Sequence, residues 1–196
     1  MADELKRRAV HASGSGLVAL YLLAQYLDLG LTWNRFRLLM VVLAVGTIVL
    51  EVLRLRVGLD WWIYEKLTRE YEQDQIAGYG LYMISMTAVV LLFEPRIALP
   101  AMLMLALADP ISGAFSEDTL KRVKRPTVLV VMFVVSTALA LPFFADRPEV
   151  AIAAGLGATI ADGIKVTYGD FVLDDNLTIP IYAAVLAWLT LEFWLV

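Results

Sequence analysis

Seven stretches of the chain are almost wholly apolar, with short polar segments between them. They cover residues 15–29, 36–53, 76–93, 97–115, 127–144, 150–168 and 177–196. Several approach the ~20 apolar residues that a helix needs to cross a bilayer. The first is short for a full span and can begin nearer Ala9. Pro100, Pro142 and Pro180 fall near helix ends or first turns, where a missing N–H is tolerated. No internal repeat divides the pattern, so residues 1–196 read as one membrane-embedded domain. The prediction is an all-α, polytopic integral membrane protein with about seven transmembrane helices.

Between the second and third stretches, residues 58–75 carry Trp61, Trp62, Tyr64 and Tyr71 among mixed charges. Indole and phenol rings favour the headgroup layer, where one edge stays wet and the ring stays dry. The segment predicts one interfacial amphipathic helix, with a solvated loop as the alternative.

Composition sharpens this picture. Hydrophobic residues make up 60% of the 196, and the mean hydropathy is +0.73, too apolar for a soluble domain of this length. The chain has no cysteine, which excludes disulfides and thiolate chemistry, and its one histidine, His11, excludes multi-histidine zinc or haem sites. Residues 1–8 are highly charged and no A-x-A-like site follows, so no cleavable signal peptide is expected. Nothing in the charge pattern asks for a nucleic-acid partner, whereas the lipid bilayer is an obligatory one.

Seven spans place the two termini on opposite sides, and the basic residues then choose the orientation. One side would hold Lys6, Arg7, Arg8, Arg54, Arg56, Lys66, Arg69, Lys121, Arg122, Lys124, Arg125 and Lys165; the other only Arg35, Arg37, Arg96 and Arg147. Twelve against four puts the N-terminus in the cytoplasm and the C-terminus outside, in a multi-pass protein of the cell membrane.

The unusual polar groups fall at or near that basic face. Charges at the lip of a hydrocarbon-embedded helix are costly unless paired, so each marks a candidate site. Asp174, Asp175 and Asn176 stand directly before the last apolar stretch and suit a hydrated cation with its phosphates. Asp109 follows an apolar run and precedes Pro110 and Gly113, which loosen the helix there. Lys121, Arg122, Lys124 and Arg125 are four cations in six residues, able to grip a polyphosphate and equally able to set topology or meet anionic lipid. Glu51 and Arg54 sit three apart, as do Asp162 and Lys165, a spacing that allows an ion pair on one helix face. Gly155 and Gly157 suit close helix packing. Glu4, Arg8 and His11 recur at helical spacing near the N-terminus.

In this order the polar elements resemble those of the CTP-dependent lipid-alcohol kinases, the family of dolichol, phytol and polyprenol kinases, distantly related to phosphatidate cytidylyltransferases. Glu4-Leu-Lys-Arg-Arg-Ala-Val-His11 is similar to the family's E-x-x-R-K-x-x-H element, and Glu51-Val-Leu-Arg54 to its E-x-x-R. Leu107-Ala-Asp-Pro-Ile-Ser112 resembles G-D-P-x-A, with Ala108 in the glycine's place. The stretch from Asp174 to Pro180 resembles D-D-N-x-x-x-P, the most specific of the four. The glycine- and base-rich segment usual after the G-D-P element is here the acidic 113–118, and Asp162 stands where a glutamate is often found.

The resemblance implies transfer of the γ-phosphate of CTP to the hydroxyl of an isoprenoid alcohol. It implies Mg²⁺ held by Asp109, Asp174 and Asp175, and phosphates gripped by Arg8, Lys121, Arg122, Lys124 and Arg125, with Glu51 and Arg54 nearby. Asn176 would orient the metal or the hydroxyl, and either His11 or an aspartate would take the hydroxyl proton. A cytidylyltransferase acting on a lipid phosphate is the nearest rival. A transporter or an inactive lipid-binding relative belongs to another class, and a homo-oligomer stays open.

Overall fold

Apolar sequence in hydrocarbon must satisfy its peptide groups internally, and a helix does so within one segment. The computed structural model describes residues 2–59, 61, 64, 68, 75–116, 123–164, 167–168, 171–172 and 174–193, with the backbone alone for 2–7, 167–168 and 171–172. In chain order α1 is Ala2–Ser13, α2 Ser15–Tyr26 and α3 Trp33–Val52, the last running on through a π turn, Leu53–Val57. Next come α4, Gly78–Leu92, and α5, Pro95–Leu103, which passes through a second π turn, Met104–Ala108, into α6, Asp109–Gly113. Then α7 is Pro126–Ala140, ending in the 3-10 turn Leu141–Phe143, and α8 is Pro148–Gly163. A hairpin of β1, Thr167–Tyr168, and β2, Phe171–Val172, pairs Thr167 with Val172 and leads into α9, Asp175–Phe193.

Every one of the seven expected stretches holds helix. Four helical runs, Trp33–Val57, Pro95–Gly113, Pro126–Phe143 and Asp175–Phe193, are long and apolar enough to cross a membrane, and Gly78–Leu92 is apolar but shorter. With 12 and 16 residues, α2 and α8 reach about 18 and 24 Å at ~1.5 Å per residue, less than a ~30 Å hydrocarbon core. These helices fit a multi-pass membrane protein. The segment expected to form an interfacial helix lies largely outside the described residues; within it Tyr64 is buried, its hydroxyl 3.4 Å from the Leu50 carbonyl.

The core explains the order. α9 is the central helix, packed on α8, α4 and α5, while α7 leans on α8 and α3 on α4. Phe36, Met40, Met86, Met102, Leu105, Met132 and Ile179 fill the space between them. At Gly157 the crossing of α8 over α9 is so close that a Cβ would stand 2.5 Å from the Tyr182 carbonyl oxygen, so only glycine permits it. The outer face of α3 leaves Leu38, Val42, Val45, Val49 and Val52 exposed, at the three- and four-residue spacing of one helix stripe.

Adjacent long helices run in alternating directions, which separates two ends. At one end, Arg37 donates to the Val90 carbonyl at 3.0 Å and Arg96 to the Phe143 carbonyl at 2.8 Å. These guanidinium groups close the negative C-terminal ends of α4 and of the 3-10 turn after α7. The other end collects the start of α4, the end of α6, the start of α7, the end of α8 and the start of α9.

Candidate active site

The site begins with a broken helix. At the second π turn the Asp109 N–H donates to the Met104 carbonyl, five residues back, and so abandons the Leu105 carbonyl that an α-helix would have given it. The next donor in line would be residue 110, a proline with no N–H. Leu105 is buried, so its orphaned oxygen needs a partner from elsewhere. His11 provides it, with Nε2 2.9 Å from that oxygen. A carbonyl can only accept, so Nε2 carries the proton and the tautomer is fixed. The same nitrogen stands 3.6 Å from Asp109 Oδ2. Two further bonds seat the N-terminal helix: Arg8 donates to the Gly113 carbonyl at 3.0 Å, and the Tyr82 hydroxyl donates to the His11 carbonyl at 3.0 Å. Gly14 lies under Tyr82, where any Cβ would overlap the phenol oxygen.

Three carboxylates from three helices meet beside this break. One oxygen each from Asp109, Asp162 and Asp175 lies within 4.8 Å of the others. Asp109 opens α6, Asp162 stands one residue before the end of α8, and Asp175 is the first residue of α9. Lys124 bridges two of them, at 2.5 Å from Asp162 and 3.7 Å from Asp175. Its own position comes from the backbone. Lys124 N–H donates to the Gly163 carbonyl at 3.1 Å, and Val123 forms an antiparallel bridge with Ile164, so the segment before α7 is tied to the end of α8. Burial pushes the Lys124 ammonium down, but Asp162 and Asp175 outweigh it, so its pKa lies above the ordinary lysine value and the charge persists through neutral pH.

Asp162 differs from its two companions. Its side chain is 0% exposed, and among the described residues Oδ2 has no hydrogen-bond partner. The Ser112 hydroxyl lies beside this carboxylate and donates to the Asp109 carbonyl at 3.0 Å. A buried carboxylate oxygen without a donor is expensive, and a cation is the partner chemically suited to it.

Asp174 is placed otherwise than the sequence suggests. It is the N-cap of α9: Oδ1 accepts the Asn176 N–H at 2.8 Å and the Asn176 carboxamide at 2.7 Å. The trio of acids therefore contains Asp162 in the place expected for Asp174. Asn176 is buried, and its carbonyl accepts from the Ser85 hydroxyl at 2.6 Å, which locks the first turn of α9 against α4.

Glu51 and Arg54 form the expected pair, two contacts of 2.9 Å each, in a buried position. They also do more locally than pair. Glu51 accepts the Ala77 N–H at 3.0 Å and the Tyr79 hydroxyl, while Arg54 donates to the Gln75 carbonyl at 2.7 Å. The knot fixes the turn before α4 and the ring of Tyr79, which with His11, Tyr82 and Asn176 lines one cleft. Arg125 is exposed at the N-cap of α7. Lys121, Arg122 and Lys165 lie outside the described residues.

Thus the structure gathers Arg8, His11, Asp109, Lys124 and Asp175 at one end of the bundle and adds Asp162, Tyr79 and Tyr82. Spacing pointed Asp162 toward Lys165, and its cation here is Lys124, 38 residues earlier. The tyrosines sit inside an apolar run and gave no local signal. No family model, no curated protein and no solved structure matches the chain.

Proposed function

We propose that this protein is a membrane-embedded phosphotransferase that moves the γ-phosphate of CTP to the hydroxyl of an isoprenoid alcohol, with a divalent cation such as Mg²⁺ as cofactor. One observation carries the proposal: Asp109, Asp162 and Asp175 converge at the basic end of the bundle, and one buried oxygen among them, Asp162 Oδ2, has no hydrogen-bond partner among the described residues. Three carboxylates with no soft or imidazole donor in the group form a set that suits a hard, oxygen-seeking cation. Such a cation, when bound, would neutralise phosphate charge.

The chain's own residues would do the rest. Phosphoryl transfer requires positioning and charge neutralisation more than covalent participation. Lys124 would meet a phosphate as a point charge, and Arg8 and Arg125 would add planar donors, with Lys121 and Arg122 from the segment just before. His11 already uses Nε2–H on Leu105, so its role is to hold the broken helix in shape, and an aspartate would take the hydroxyl proton. We further propose seven membrane passes with the N-terminus in the cytoplasm, because the acid trio and most Lys and Arg residues then share the inner face.

The test is an assay of the purified protein in lipid nanodiscs, with γ-labelled CTP, Mg²⁺ and a panel of isoprenoid alcohols. Labelled lipid phosphate is expected from the wild type and not from Asp175→Asn. Equal product from both proteins would sink the reading. Label on lipid from α-labelled CTP would make the enzyme a cytidylyltransferase instead.

A further inference from the structure

A cleft of about 310 Å³ lies between the α1–α2 corner and the start of α4. Val10, Gly14, Leu17, Tyr79, Tyr82 and Met83 give it a largely apolar wall, and His11 and Asn176 are the polar groups nearest the acids. His11 stands 3.6 Å from Asp109, and Asn176 is the chain neighbour of Asp175, so the cleft adjoins the trio. Its walls are held in place from behind: Tyr82 by its bond to the His11 carbonyl, Tyr79 by Glu51.

We infer that this cleft seats the isoprene units next to the hydroxyl of the lipid alcohol, points that hydroxyl toward His11 and Asn176, and leaves the remaining tail in the bilayer. The identity of the alcohol rests on the phosphotransferase reading; the class of ligand follows from the wall. A ligand that leaves an apolar wall dry and brings one small polar group to one side is an amphiphile with a compact head. A nucleotide base would bury several polar edges there without partners. The volume is at the lower end for a small-ligand pocket, so a long polyprenyl chain must leave it. Selectivity therefore resides in the saturation and branching of the first units, and chain length beyond them matters little.

The experiment uses the whole protein in nanodiscs and an isoprenoid alcohol with a photoreactive diazirine near its hydroxyl. Labelling of peptides covering residues 10–17 and 78–83, competed by unmodified alcohol, is expected. Labelling elsewhere, or labelling that alcohol does not compete, overturns the inference. Met83→Trp should fill the cleft, lower the labelling about tenfold and raise the KM for alcohol by a similar factor, with the KM for CTP unchanged. An unchanged alcohol KM in a well-folded Met83→Trp protein also overturns it. If that variant does not assemble, the wild-type labelling map and Leu17→Trp decide alone. Competed labelling at the cleft with no turnover on any nucleotide supports the cleft and refutes the phosphotransferase. Turnover with labelling elsewhere does the reverse.

Discussion

Replacing Asp162 by asparagine separates a cation site from a buried ion pair. The exchange keeps the shape, opens no cavity and removes one charge. Removing one partner of a buried pair costs ~3–5 kcal/mol because the other charge is left unpaired. Here Lys124 also lies 3.7 Å from Asp175, which shares the compensation. A loss of about 2 kcal/mol is therefore expected, on the scale of a lost charged hydrogen bond. For a chain of this size that lowers the melting temperature by about 4–8 °C. Detergent-solubilised membrane proteins often unfold irreversibly, so the two proteins are compared at one scan rate.

The decisive measurement is the same melt with and without Mg²⁺. A cation at a hundredfold its Kd stabilises the folded chain by ~2.7 kcal/mol, about 5–10 °C here. The wild type should show this upward shift. Asp162→Asn should lose most of it, since one of the three converging carboxylates is gone. A variant that melts lower yet keeps the full Mg²⁺ shift would refute the cation site and leave Asp162 a structural partner of Lys124.

Other outcomes follow from the geometry. Gly157→Ala should cost ~1–3 kcal/mol, read as a lowered melting temperature, because the added Cβ meets the Tyr182 backbone at 2.5 Å and neither helix can retreat; Gly46→Ala, with nothing within 4 Å of its Cβ, should be neutral or slightly stabilising. His11→Phe should destabilise by ~1–3 kcal/mol through the unpaired Leu105 carbonyl, and His11→Gln should recover part of that by restoring a donor. The pH–rate profile of His11→Gln should match the wild type; loss of its acidic limb would restore His11 as the base. The native chain has no cysteine, so Asp28→Cys and Ser116→Cys can be labelled singly in intact cells, with the former expected to react from outside and the latter only after permeabilisation.

Hydropathy located the helices because hydrocarbon burial acts on each segment alone. Asp109 and Asp175 were legible for the same reason, as charges set against long apolar runs. The partner of Asp162 was not, since Lys124 reaches it through the tie between residues 123–124 and 163–164, a long-range contact that three-residue spacing cannot express. Asp174 carried a readable signal of another kind. An aspartate directly before a helix, with an amide donor two residues on, is an N-cap, a role that competes with the cation-binding one its pairing with Asp175 suggests. The role of His11 needed two facts together: Pro110 deprives Leu105 of a donor, and the N-terminal helix folds back over the gap. The first is written in the sequence; the second depends on packing.

That gap also sets an order of assembly. The imidazole leaves the ribosome early and its acceptor follows 94 residues later, after the membrane has received several intervening segments. Until then only Tyr82, on α4, is there for the N-terminal helix to close upon. The N-terminal helix thus waits on a segment made much later, and nascent chains halted before Leu105 should leave it more open to protease than longer ones.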